Sequence, residues 1–316
     1  MPYSLIQPLF SVPIACIDLE TTGASAEFGH RIIEVGIVRY ENGVKSAEYQ
    51  QLIDPQRPIS AGVTALTGIS HEMCENQPTF SQQIKAMMPL LSGAAILGHN
   101  IRFDLSFLLR ECNAAGQDLC RTLQSPHVLD TVRIARRRFG RGGNGLGNLA
   151  RRLGYEPRGV HRALPDAQTT AIVFEMLMTP VGGWNLCLCD ALKEQGGPMS
   201  LLPANARESL LPLELQEALD QRRPVIMEYL DSGGLRTQRV IDPIQIRKIS
   251  GELMLIAHCR LRNDRRHFKL ERIVRLSRFD ENSQVEPNEV PYEMFSQFEP
   301  FSQVESTGPV PHDFLP

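Results

Sequence analysis

Two rhythms of apolar and polar residues run along this chain, and the change from one to the other divides it. Early on, short apolar runs dominate: Pro13–Asp18, Arg31–Tyr40 (RIIEVGIVRY), Val44–Ile53 and Ala94–Leu97. Runs of this length bounded by turn residues predict buried strands, with Glu41-Asn42-Gly43 as a hairpin turn. A spacing of three to four then takes over in Phe80–Leu91, Arg102–Asn113, Thr131–Phe139, Leu146–Leu153 and Ala163–Met178, which predicts helices. Strands with intervening and following helices predict an α/β domain that reaches to about Thr179.

Beyond it the pattern loosens. From Pro180 to Pro203, two Gly-Gly pairs and several prolines surround the single tryptophan, Trp184, which reads as a linker with a short docked segment. Leu213–Gln221 has the spacing of one amphipathic helix. Pro224–Phe279 returns to short apolar runs, with turn signals at Asp231-Ser232-Gly233-Gly234, Ser250-Gly251 and Asn263-Asp264, and predicts a small β-barrel. The last residues, rich in Glu, Pro, Ser and Gln, predict disorder. The expected division is a first domain over residues 10–180, a linker over 181–207, a second domain over 208–280 and an acidic tail over 281–316.

Composition adds location to this pattern. At 316 residues and 42% apolar content the chain can bury two cores. Net charge is −3, which excludes a global bias toward polyanions, but the charge is unevenly spread. Residues 221–278 hold 14 Lys+Arg against 6 Asp+Glu, and residues 279–316 hold none against 8. A basic module is followed by an acidic tail, and weak contact of the tail with that module is one expectation. The opening MPYSLIQPLFSVP lacks the basic start of a signal peptide, and no apolar run approaches membrane-spanning length, so no membrane partner is expected. Seven scattered cysteines fit a reducing cytoplasm better than a disulfide framework.

The candidate chemistry lies in three separated segments. Asp18 and Glu20 close an apolar strand two residues apart, so both carboxylates leave the same face. Thr21, Thr22 and Gly23 follow as a turn with backbone donors. Asp104 stands in the first turn of a predicted helix, preceded by Asn100 in GHNIRFD; taken alone, it reads as a helix cap. His161 and Asp166 bracket Arg162-Ala163-Leu164-Pro165, where Pro165 marks a helix start. Four carboxylates and an imidazole in apolar frames suit two hard cations and a general base, the chemistry of phosphodiester hydrolysis. Asp130 in VLDT matches none of these positions and reads as a supporting or helix-cap residue.

Together, IDLETTG, HNIRFD and HRALPDA resemble the three motifs of the DEDDh 3′→5′ exonucleases, the group containing the proofreading subunit of bacterial replicative polymerase, over about residues 10–180. The resemblance implies an α/β domain with a ribonuclease-H-like mixed sheet and flanking helices. It also implies two Mg²⁺ or Mn²⁺ ions, one held by Asp18, Glu20 and Asp166, the other placed by Asp18 with Asp104, with His161 as the base. Single-stranded nucleic acid, DNA favoured, would be the substrate and nucleoside 5′-monophosphates the product, with DNA repair as a setting. RNA or short oligonucleotides form an alternative substrate, and a regulatory nucleic-acid-binding protein an alternative class.

The basic segment carries a second resemblance, to the WYL domain, a small Sm-like (SH3-like) β-barrel, over residues 208–280. The turn before Arg236, the Arg239–Pro243 stretch and Phe268–Ile273 match; the naming Trp-Tyr-Leu triplet is replaced by Leu253-Met254-Leu255. Losing those rings removes stacking surface but leaves charge, so Arg239 and Arg272 are the expected backbone contacts, beside Thr21, Thr22 and Asn100 in the first domain. Five arginines at 133, 136, 137, 138 and 141 either solvate a short helix or track phosphates. Gly140–Gly147 (GRGGNGLG) follows a predicted helix rather than a strand and lacks a Gly-Lys-Ser/Thr ending, so it reads as a flexible connection. The sequence carries no sign of oligomeric state.

Overall fold

The computed structural model describes residues 3–26, 29–124, 126–159, 161–201, 213–230, 236–249 and 252–279. The expected turns at 231–234 and 250–251, and the tail over 281–316, lie outside the described residues.

The first domain opens with β1 (Ile14–Thr21), β2 (Ile32–Glu41) and β3 (Val44–Leu52), followed by α1 (Ala61–Thr67), α2 (His71–Cys74) and α3 (Phe80–Leu91). It continues through β4 (Ala95–Gly98), α4 (Arg102–Ala114), α5 (Leu119–Thr122), β5 (Val128–Asp130), α6 (Thr131–Phe139), α7 (Leu146–Arg152), α8 (Ala163–Met178) and α9 (Leu188–Glu194). The strands form one mixed sheet in the order β3-β2-β1-β4-β5. β1 pairs antiparallel with β2 and parallel with β4, so the strand that carries Asp18 and Glu20 is central.

The alternation along β1 decides where the chemistry goes. Ala15, Ile17 and Leu19 face one core with residues of α3 and α4, while Ile14 and Cys16 face a second core with α6, α7 and α8. Asp18 and Glu20 continue the second set, so they open toward the N-terminal end of α8. That helix lies close on the sheet because Gly36, the β2 partner of Asp18, has no side chain. A Cβ there would stand 2.2 Å from the carbonyl carbon of Ala163.

Residues 181–201, expected to be mostly linker, belong largely to this domain. Leu188, Ala191 and Leu192 of α9 are buried in the α8-side core, Trp184 packs against Tyr40 and Phe174, and Met199 joins the opposite core. The Gln195 side chain accepts from the Asp130 amide at 2.9 Å and donates to the Val128 carbonyl at 2.9 Å, satisfying the edge strand β5. The short docked segment expected here extends from Trp184 through α9 to Met199.

The second domain comprises α10 (Leu213–Gln221), β6 (Val225–Leu230), β7 (Arg236–Ile249), β8 (Glu252–Cys259), β9 (Asp264–Lys269) and β10 (Ile273–Arg278). Its strands make an antiparallel sheet in the order β10-β6-β7-β8-β9. The expected barrel is not closed: among the described residues, β9 and β10 are sheet edges joined by a 3-10 turn at Leu270–Arg272 rather than paired with each other. The sheet nevertheless wraps one core, in which Met227, Tyr229, Ile241, Leu255 and Phe268 meet Leu215 and Ala218 of α10.

The glycine-rich stretch expected to be a flexible connection is where this domain rests. The Asn144 amide donates to Glu217 Oε1 at 3.3 Å, Arg141 pairs with Asp220 at 3.6 Å, and Gly142 (φ +111°) leaves room for the Gln221 amide, 2.1 Å from where a Cβ would stand. On the far side, Cα atoms of β10 come within 8 Å of α1. No helix among the described residues is long and apolar enough to cross a membrane.

Candidate active site

β1 presents Asp18 and Glu20, half-buried, at its C-terminal end. Asp104, buried in the first turn of α4, accepts a hydrogen bond from the Leu19 amide at 3.0 Å. This carboxylate ties α4 to the backbone between the two strand carboxylates. Asp166, in the first turn of α8, accepts from the His161 amide through Oδ2 at 3.0 Å. His161 itself is exposed and sits at φ +64°, a left-handed conformation that turns the chain sharply into the helix. Ligand atoms of Glu20, His161 and Asp166 all lie within 4.8 Å of one another.

This concentration of negative charge is electrostatically strained. Burial, then the Asp104, Asp166, Glu20 and Glu34 carboxylates, push Asp18 well above the usual carboxylate range. Burial, then Asp166, Glu34 and Asp104, do the same to Glu20, with partial relief from Arg162. Burial raises Asp104 against the opposing pull of its own amide and that of Leu19. Asp166 rises to about 6, chiefly through burial. Carboxylates that repel one another in a half-dry site, with oxygen as the hard donor, fit a divalent cation, which would reverse each of these shifts. The donor set of Asp18, Glu20, Asp104 and Asp166 passes that test.

One charged residue of the site was not singled out in the sequence. Glu34 on β2 pairs in register with Glu20 and is fully buried, yet its carboxylate is held below the ordinary range. Burial alone would raise it; hydrogen bonds from Arg162, the Ala163 amide and Gln50 outweigh burial. Arg162 Nη2 donates to Oε1 at 2.7 Å and Nε to Oε2 at 3.0 Å, the Ala163 amide to Oε2 at 2.9 Å, and Gln50 Nε2 to Oε1 at 2.8 Å. The sole signal in the sequence was an acid at an inward position of an otherwise apolar strand, RIIEVG.

The other expected contacts have distinct surroundings. Thr21 and Thr22 are buried with engaged hydroxyls: Thr21 Oγ1 donates to the Gly23 carbonyl at 2.8 Å, and Thr22 Oγ1 accepts from the Arg31 amide at 3.0 Å. Asn100 (φ +60°) is held through its amide by Asp130 Oδ1 at 3.1 Å, and the same carboxylate oxygen caps α6 at Val132, 2.8 Å away. Asp130 is thus a cap that also fixes the turn leading to Asp104. Within the arginine cluster, Arg138 donates to the Leu177 carbonyl at the end of α8 and pairs with Glu194 at 3.5 Å, while Arg141 reaches α10. Those two serve packing. Arg239 lies in the second domain, buried on β7, with Nε bonded to Thr237 at 2.9 Å and its guanidinium 6.0 Å from the Phe268 ring; Arg272 is half-buried in the 270–272 turn.

The central strand of a mixed sheet thus offers two carboxylates, the first turns of two flanking helices add two more, and the loop before α8 adds a histidine. The chain belongs to the RNase T exonuclease family, whose model matches residues 15–174; a WYL domain model matches residues 212–278. Among curated proteins it is similar to the 3′-5′ exonuclease DinG of Bacillus subtilis, 38% identical over 159 residues, which are 50% of this chain and 17% of that protein. It is also similar to the PolC-type DNA polymerase III of Thermotoga maritima, 34% identical over 56% of this chain and 13% of the polymerase. A DNA polymerase III subunit epsilon-like protein of Rhodobacter capsulatus is 34% identical over 54% of this chain and 24% of that protein. The match thus spans less than a quarter of each relative's length. Among solved structures, exonuclease I superposes with a TM-score of 0.51 at 14% identity, over 78% of this chain and 55% of that one, a likeness of fold.

Proposed function

We propose that this chain is a divalent-metal-dependent 3′→5′ exonuclease acting on single-stranded nucleic-acid ends, DNA favoured, and releasing nucleoside 5′-monophosphates. The observation that carries the reading is the meeting of Glu20, Asp166 and His161 within 4.8 Å beside Asp18, with Asp104 fixed to the same strand. Binding a strand without cutting it would not call for four carboxylates crowded against their own repulsion.

Asp18, Glu20 and Asp166 would hold one Mg²⁺ or Mn²⁺ ion, and Asp18 with Asp104 would place a second. Bound there, such ions supply acidified water and neutralise charge on the leaving oxygen. Asp104 is kept in place by the Leu19 amide, so its orientation does not depend on the substrate. One Asp166 oxygen is occupied by the His161 amide, which leaves the other for a cation. His161, exposed on the loop before α8, would take a proton from an attacking water.

The DNA preference is supported by similarity to a PolC-type DNA polymerase III and to a DNA polymerase III subunit epsilon-like protein. The second domain would act as an accessory module for strand or ligand binding. Its support is basic charge and a buried arginine, Arg239, whose Nε is bonded to a threonine hydroxyl rather than to an acid. Matched DNA and RNA oligonucleotides, 5′- and 3′-labelled, single- and double-stranded, incubated with Mg²⁺, Mn²⁺ or EDTA, test the reading. Mononucleotide release from 3′ ends of single-stranded DNA, blocked by EDTA, is expected. Faster release from RNA would move the assignment to an exoribonuclease, and retention of a strand without turnover would replace it with a binding protein.

A further inference from the structure

We propose that Glu34 and Arg162 are positioning residues: together they lock the His161–Asp166 segment onto the sheet and so preset the geometry of the cation site. The proposal rests on the exonuclease reading for its catalytic consequence, but its geometric part stands apart from it.

The segment between His161 and Asp166 carries two of the five candidate site residues. Arg162, the residue before α8, provides no side-chain cap for the helix. The cap comes instead from 129 residues away: Glu34 accepts the Ala163 amide at 2.9 Å, placing a buried anion at the positive end of a sixteen-residue helix. The same carboxylate receives the Arg162 guanidinium through two nitrogens, a planar two-point contact that fixes direction as well as distance. Gln50 on β3 fixes Glu34 from its other side at 2.8 Å.

Three constraints therefore converge on one short stretch. Gly36 lets the Ala163 backbone touch β2, Glu34 holds Arg162 and Ala163, and Asp166 holds the His161 amide. Between the two ends of this lock there is little freedom for Asp166 to swing away from Glu20. The ion pair also manages charge. Glu34 stands opposite Glu20 in the ladder, and a buried carboxylate there without a counter-ion would push Glu20 off its place; Arg162 neutralises Glu34 and bears on Glu20 as well. Neither residue belongs to the set of four carboxylates and one imidazole that would meet the cations and the water. Their influence passes through the position of α8.

A double-mutant cycle on the full chain tests this: wild type, Glu34→Gln, Arg162→Gln and the double variant, each checked for folding by thermal melting in EDTA. Mn²⁺ binding is measured by calorimetry without substrate, and kcat and KM on a single-stranded oligonucleotide. Each single change is expected to weaken Mn²⁺ binding by about 10- to 100-fold and to lower kcat while KM for the strand stays unchanged. The double variant is expected to be no worse than the worse single one, because both act through one lock. Arg162→Lys, which keeps charge but not the two-point contact, should fall between. Wild-type Mn²⁺ affinity in both single variants, or losses that multiply in the double one, overturns the proposal. If Glu34→Gln does not fold, the two Arg162 variants carry the test, since that side chain is 34% exposed. If the wild type cuts no strand while Mn²⁺ binding still shows the coupling, the exonuclease reading fails and the lock stands.

Discussion

Removing one site carboxylate should stabilise the metal-free protein. Asp166 is buried, and its rise from 3.8 to about 6 means that the fold binds its proton more tightly than the unfolded chain does. At roughly 1.36 kcal/mol per pH unit, holding it ionised costs the fold about 3 kcal/mol. The sign follows from linkage. Below pH 4 both states are protonated and there is no penalty; as pH rises through the interval from 4 to 6 the unfolded chain ionises first and stability falls; above 6 the loss is complete. The four carboxylates relax together, so Asp166→Asn should recover about 1–3 kcal/mol at pH 7.5, a Tm gain of about 2–12 °C for a domain of this size. Near pH 5 about half of that gain should remain. Thermal unfolding in EDTA at the two pH values reads this directly, and saturating Mn²⁺ should reverse the order, raising the wild type above the variant. A variant less stable than wild type at pH 7.5 in EDTA, or equally stabilised at both pH values, would refute the claim that charge crowding dominates this site.

Further outcomes follow from the same geometry. Asp18→Ala should abolish Mg²⁺-dependent hydrolysis with an unchanged circular dichroism spectrum; continued degradation by that variant sinks the mechanism. Gly36→Ala places a Cβ 2.2 Å from the Ala163 carbonyl carbon, which must move; a loss of about 1–3 kcal/mol in melting experiments is expected, with slower turnover. Gly142→Val combines an unfavourable φ of +111° with a clash at Gln221 and should raise the radius of gyration in solution scattering by loosening the second domain. Arg272→Ala should weaken single-strand binding and lower the slope of log affinity against log salt by about 0.7 for each phosphate left without its counter-charge; an unchanged slope removes Arg272 from the interface.

The five candidate site residues stood out in the sequence as a set, in three motifs that resemble one family, although Asp104 taken alone read as a helix cap; the fold brings Glu20, His161 and Asp166 together. Helix boundaries such as Ala163–Met178 were legible from their period. Glu34 was not, because an acid at an inward strand position gives no sign of its partner, 128 positions on, until the fold brings the two together. A docked segment was expected within residues 181–201, but its extent was hidden: the glycines and prolines describe turns, while Gln195 satisfying β5 is a long-range event. GRGGNGLG looked flexible from composition, yet the missing side chain at Gly142 serves a close approach by α10. Barrel closure could not be read from strand count, because closure depends on how the edge strands meet.

The seat of α10 on the 140–145 loop has a kinetic consequence. If the basic domain holds a strand as proposed, its contact with the first domain, added to the chain connection, would keep that strand from diffusing away between one cut and the next. The strand end would then stay at a local concentration in about the millimolar range, set by the distance between the two surfaces rather than by the bulk. Such a tether would turn repeated capture into sliding: the number of nucleotides removed per encounter would depend on grip at the second domain, and the rate of each cut on the carboxylates. Run length and cutting rate would then be separately adjustable in one chain.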